Sequence, residues 1–216
     1  RQALALQPPP APEQRRTAWT VVAHHAFEQG RHAEAEGAYG EVLASSAAGS
    51  PGRVDAAERL AASIYKQGEA ARSGGDARVA VGHFERVAAL GASGVLSATS
   101  AVRASAQFDA AAALIGLKDW GRAATALEDF RRQQPGHPLQ AEVAPRLALA
   151  YLEQNRHSLA AAELEKVSAA ADTANGDATL ARGALWQAAE LHEKAAREAP
   201  LPSALPSPLL TSALAA

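Results

Sequence analysis

Cysteine and methionine are both absent from this 216-residue chain. Without cysteine there is no disulfide framework, no thiolate metal site and no cysteine nucleophile. The lack of methionine, with arginine at the first position, reads as a piece of a longer polypeptide from which any targeting signal has been removed. Aromatic residues make up only 5% of the chain although 48% is hydrophobic. Alanine supplies much of that apolar count, which favours closely approaching helices over a thick aromatic core. No stretch approaches the roughly 18 consecutive apolar residues that a membrane span needs. An excess of one charge is missing too, with 21 basic residues against 23 acidic ones. The only basic doublets, Arg15-Arg16 and Arg131-Arg132, read as solvated helix faces. Nucleic acid is therefore not expected as a partner.

The residues that carry chemistry form no constellation. Seven histidines are present, but His24 and His25 are neighbours that point about 100° apart on a helix and cannot share one ion. The others are isolated from one another at ligand spacings, and no H-E-x-x-H occurs. The serines lack a G-x-S-x-G elbow, and the glycines at 74, 75, 91 and 94 form neither a phosphate loop nor a dinucleotide fingerprint. No catalytic residue, metal site or cofactor is expected, and the chain reads as a non-enzyme.

Punctuation along the chain divides it into helices. The segment QPPPAP at 7–12 cannot donate regular backbone hydrogen bonds and reads as an extended lead-in, giving a boundary after residue 12. Helices are predicted over Glu13–Gln29 and His32–Ser46, separated by Gly30. Ser50-Pro51 starts a long helix running to Ser73, and Asp76 caps the next, to Leu90. A second long helix is predicted from Val95 to Leu117, followed by Trp120–Gln133 behind Asp119. Proline inside a helix costs about 3 kcal/mol, so the seventh helix is predicted to begin near Ala141, with Pro145 in its first turn, and to end at Gln154. His157–Ala171 and Ala178–Glu198 complete the set. The stretch 199–216, uncharged and rich in proline and leucine, reads as a tail that lies along an apolar groove of its own chain or of a neighbour, giving a route to a homo-oligomer.

One spacing recurs four times across these helices. Its copies are Trp19, Val22-Ala23, Ala26, Gly30, Ala35, Tyr39; Ile64, Gln67-Gly68, Ala71, Gly75, Ala80, Phe84; Gln107, Ala110-Ala111, Leu114, Ala123, Leu127; and Ala144, Leu147-Ala148, Tyr151, Asn155, Ala160, Leu164. They resemble the tetratricopeptide repeat, W-x2-L-G-x2-Y followed by A-x3-F. The third copy departs from it, with Gln107 where tryptophan is common and Lys118 where glycine is common. The recurring alanines lie 45, 43 and 37 residues apart, against 34 in the ordinary repeat. The surplus falls ahead of each first helix, so the first helices are expected to be lengthened by two or three turns.

That resemblance implies an all-α, right-handed solenoid of about four helical hairpins plus a capping helix, occupying residues 13–198. It also implies a protein or peptide partner held on the concave side by the first helix of each pair. Carried onto this sequence, the groove comprises Thr20, His24 and Phe27; Tyr65, Lys66, Glu69 and Arg72; Phe108, Asp109 and Ile115; and Arg146, Leu149 and Leu152, with Gln187 and Leu191 added by the final helix. The lysine, arginine and asparagine clamp with which chaperone-binding relatives grip a C-terminal carboxylate is not reproduced at Thr20, His24, Lys66, Asp109 and Arg146. An apolar peptide anchored by Phe27, Tyr65, Phe108 and Leu149 fits better, with the alternative that Phe27 and Phe108 pack between helices. The chain also resembles large periplasmic repeat proteins of Gram-negative bacteria, most over 111–152, which implies the cell envelope, with the cytoplasm as the alternative. Two other roles stay open: a self-assembling architectural repeat, and the regulatory arm of an enzyme whose catalytic domain lies outside this sequence.

Overall fold

The computed structural model describes residues 11–172 and 177–198. The lead-in at 1–10 and the proline- and leucine-rich tail at 199–216 lie outside the described residues. Nine α-helices follow in order: α1 Pro12–Glu28, α2 His32–Ala44, α3 Pro51–Ser73, α4 Ala77–Ala92, α5 Ala101–Gly116, α6 Trp120–Gln133, α7 Val143–Glu153, α8 His157–Ala171 and α9 Ala178–Glu198, with a 3-10 turn at Pro138–Glu142 before α7. No strand occurs among the described residues. Each helix packs chiefly on the one before it and the one after it, which is the connectivity of an α-solenoid: four antiparallel hairpins and a ninth helix.

The four hairpins turn in one way. Gly30, Gly75, Lys118 and Asn155 each have φ between +56° and +85°. In every case the N–H of the next residue reaches back five positions to a motif residue: Arg31 to the carbonyl of Ala26, Asp76 to Ala71, Asp119 to Leu114 and Arg156 to Tyr151, all at 2.9 Å. This is the Schellman arrangement that satisfies the last carbonyls of a helix. Glycine enters that conformation without strain and asparagine at little cost, whereas Lys118 is held there by its context. Asp76 and Asp119 then cap the following helices by accepting from the N–H groups of Val79 and Arg122.

Close approach comes from small residues. Ala35, Ala80, Ala123 and Ala160, the recurring alanines, are all fully buried. Three of their partners four positions on, Tyr39, Phe84 and Leu127, are also buried. Two large cores result, one drawn from α1 to α5 around Tyr39, Ile64, Phe84 and Val87, the other from α5 to α9 around Phe108, Leu127, Phe130, Leu147 and Tyr151, and a smaller cluster of Val81, Ala113, Leu114 and Ala123 joins α4, α5 and α6. α5 belongs to both, because Ala106 and Ala110 point to the first and Ala104, Phe108 and Ala111 to the second.

Two expectations are corrected. α5 begins at Ala101, not Val95. The intervening residues are drawn elsewhere: the N–H groups of Val95 and Leu96 both return to the carbonyl of Leu90, Leu96 is buried, and Ser97 and Thr99 bond each other at 2.9 Å. Hydroxyl side chains compete with the helix in this way, and Ser100 finally caps it by accepting from Arg103 N–H. Nor are the first helices lengthened in general. α3 has 23 residues, but α5 has 16 and α7 only 11. The surplus there is spent on the connection 93–100 and on the proline-bearing 134–142, where Pro135, Gly136 and Pro138 forbid a continuous helix.

Arginine–glutamate pairs join the second helices of successive hairpins. Arg86 on α4 reaches Glu36 on α2, Arg122 on α6 reaches Glu85 on α4 at 2.5 Å, and Arg131 on α6 grips Glu163 on α8 through both guanidinium nitrogens at 2.8 and 2.5 Å. The first two pairs are half exposed and contribute little. Glu163 is buried and also accepts from Lys166 at 2.8 Å. Burial alone would raise its carboxyl, but the hydrogen bonds from Arg131 and Lys166 outweigh that and hold it below the ordinary carboxylate range. The unfolded chain therefore takes up this proton first. The contribution is complete above the unfolded value of about 4.3 and is lost as pH falls through the lower, folded value. Thermal melts of Glu163→Gln should accordingly show a flatter acid limb than the parent, with the parent's advantage of about 1 kcal/mol at neutral pH vanishing at the acid end. Equal acid slopes in the two proteins would contradict this.

Candidate functional site

The first-helix face is where a groove is expected, and the structure divides it into a sealed part and an open part. In the middle, α3 packs directly on α5. Tyr65 Oη donates to Asp109 Oδ2 at 2.5 Å, and Arg72 pairs with the other carboxylate oxygen at 2.9 Å. Burial first, and the Asp109 carboxylate second, push the Tyr65 phenol above its ordinary range, so it remains a donor. Its ring lies 5.4 Å from that of Phe84, over which the Arg72 guanidinium also sits at 5.7 Å. Tyr65, Arg72 and Asp109 thus come together as a lock between two first helices.

Phe108 is buried at 6% exposure, with its ring 5.4 Å from Phe130 and the Arg146 guanidinium laid over its other side at 4.8 Å. Arg146 also bonds Glu142 at 2.6 Å. Ile115 is half-buried against the second core. The apolar surface of Phe108 is spent inside the array, so it packs between helices. At the N-terminal end Phe27 is half-buried with its ring 5.1 Å from His32, His24 lies 5.7 Å from Tyr39, and Thr20 turns its hydroxyl back to the carbonyl of Arg16. Lys66 and Glu69 pair with each other at 2.7 Å.

Leu149 and Leu152 are different. They stand one turn apart on α7, 41% and 42% exposed, and face α9 across an open trough. One hollow of about 530 Å³ is lined by Leu149, Leu152, Ala148, Leu191 and Lys194 together with Pro145, Leu164 and Gln187. A second, of about 500 Å³, shares Pro145, Leu164 and Gln187 and continues to Leu180 and Gly183. Along α9 the two cover residues 180–194, about 20 Å at 1.5 Å per residue. The trough lies where α9 packs closely on α8 and not on α7, leaving Pro145, Ala148, Leu149 and Leu152 of α7 as the opposite wall.

Leu164 is half-buried and lines the trough, where its counterparts Tyr39, Phe84 and Leu127 are sealed. Sequence reasoning did not reach Pro145, Leu164, Leu180 or Lys194. The spacing Leu180, Ala184, Gln187, Leu191 is a helical stripe that could have marked the α9 wall. Among the described residues no three histidine, aspartate or glutamate side chains converge as metal ligands, and no helix is long and apolar enough to cross a membrane.

No protein-family model and no curated protein matches this sequence. Solved structures with a similar chain path include the TPR-like repeats of a Podospora anserina kinesin light chain protein, at 20% identity and a TM-score of 0.48 over 87% of this chain and 90% of that one. The MamA protein superposes at 18% identity and a TM-score of 0.42 over 88% and 100% of the two chains, and BtubC from P. vanneervenii at 18% and 0.46 over 89% and 85%. At such low identities the likeness extends no further than the chain path. With four equivalent Schellman turns, four sealed motif alanines and neighbour-only packing, the chain folds as a tetratricopeptide-like α-solenoid.

Proposed function

We propose that this chain is a non-catalytic scaffold that holds an apolar segment of a protein partner in the trough between α7 and α9. The observation that carries this reading is the pair Leu149 and Leu152, left exposed on a first helix opposite Leu191, where the other candidate anchors, Phe108 and Tyr65, are used internally. Leucines one turn apart, a trough about four turns of helix long, and a rim of Gln187, Glu190 and Lys194 suit an amphipathic helix presenting apolar side chains at i, i+3 or i+4 and i+7. The hollow between α4 and α6 is a poorer candidate, because it is walled by Arg78, Glu85, Lys118, Asp119 and Arg122, with Arg122 already paired to Glu85 and Asp119. Thr20, His24, Lys66 and Glu69 lie farther along the same series of first helices and would meet only an extended partner.

Peptides selected from a random display library against the chain test the reading. The expected outcome is enrichment of leucine- or phenylalanine-bearing amphipathic sequences. Their affinity should fall at least tenfold, about 1.4 kcal/mol, for Leu149→Glu combined with Leu152→Glu, while the circular dichroism of the variant stays that of the parent. Selected peptides that bind parent and variant alike would place the binding surface elsewhere.

A further inference from the structure

α9 carries a second exposed apolar face, distinct from the trough and not covered by any of the described residues. Successive residues step by 100°, and the three surfaces of the helix separate cleanly. Ala181, Ala184 and Ala188 are buried on α8, Gln187, Leu191 and Lys194 face the trough, and the side turned away from the trough presents Arg182, Leu185, Trp186, Ala189, Glu193 and Ala196. Trp186 is 69% exposed and Leu185 55%, the first of these being the most exposed large apolar side chain among the described residues.

We propose that this face binds a second copy of the chain, α9 against α9, antiparallel about a two-fold axis. The argument is complementarity of charge and size. A register that seats Trp186 beside the partner's Ala189 brings Arg182 opposite the partner's Glu193, and the two-fold repeats both contacts. Arg182 makes no ion pair within its own chain among the described residues, whereas Glu193 bonds Arg197 on the exposed surface, where it can accept a second guanidinium. A parallel pairing would set Arg182 against the partner's Arg182 and Glu193 against the partner's Glu193. α9 is about 30 Å long, so one helix pair buries an area at the low end for specific interfaces, and the dimer is a weak one. The inference is independent of the trough, since none of the six residues lines it.

Sedimentation equilibrium of the full chain at about 200 µM should give the mass of two copies. Arg182→Glu alone and Glu193→Arg alone should each give the mass of one copy, with self-association weakened at least tenfold, because like charges then meet twice per dimer. Mixed in equal amounts, those two variants should recover the two-copy mass, since every contact is again between opposite charges. That recovery also shows that both fold. A parent chain that sediments as one copy would mean that the face is covered from within its own chain or left bare, and would overturn the proposal. So would single variants that still dimerise, or a mixture that stays monomeric.

Discussion

Gly68→Val should cost about 2–4 kcal/mol, although the position is the middle of α3, where valine has the better helix propensity. A Cβ there would lie 2.6 Å from Cε1 of Phe84 and 2.8 Å from Cδ1. The ring cannot retreat, because it is fully buried and has Tyr65 5.4 Å away on one side and Arg72 5.7 Å away on another. The gain from replacing glycine in a helix is at most about 1 kcal/mol and does not offset a clash with a confined aromatic. Denaturant melts of Gly68→Val, Phe84→Leu and the double variant check the cause. The smaller side chain at 84 should return part of the loss, so that the double variant is more stable than the sum of the two single effects predicts. Strict additivity would show that the valine acts through something other than the ring.

Phe130→Ala should remove about 3–5 kcal/mol, and remove it locally. Phe130 is fully buried, with Phe108 at 5.4 Å and His137 at 5.4 Å, and it ties α6 to α5 and to the turn before α7. Because the two large cores are joined only through α5 and the small cluster of Val81, Ala113, Leu114 and Ala123, the loss has a narrow route into the first hairpins. Hydrogen exchange should therefore accelerate over α6–α9 while amides of α2–α4 keep most of their protection. Acceleration of equal size in all nine helices would show that the array unfolds as one unit.

Much of the architecture was legible in advance, and for identifiable reasons. Gly30, Gly75 and Asn155 favour the left-handed turn, Asp76 and Asp119 cap, and Ser50-Pro51 starts a helix, and seven helix starts lie within one residue of those observed. These are local preferences, decided within four or five residues. The start of α5 is misread because 95–100 holds no glycine or proline to stop a helix, whereas the competing serine and threonine hydroxyls and the burial of Leu96 depend on geometry that composition does not report. The lengthened first helices failed for a related reason. A repeat interval counts residues but does not say whether a surplus is coiled or spent on a crossing.

The groove was less legible. Phe108 and Leu149 are both apolar residues assigned to the same face of equivalent helices, yet one is sealed under Arg146 and Phe130 and the other faces water. Periodicity determined from the sequence alone that the chain is a stack of helical hairpins, where it turns, and that alanines 35, 80, 123 and 160 sit between helices. Only the tertiary structure decided which apolar side chains remain available. That outcome depends on the gap between helices two apart, which side chains far apart in sequence decide: Tyr65 and Asp109 close α3 onto α5, while α9 packs on α8 and leaves a trough between itself and α7.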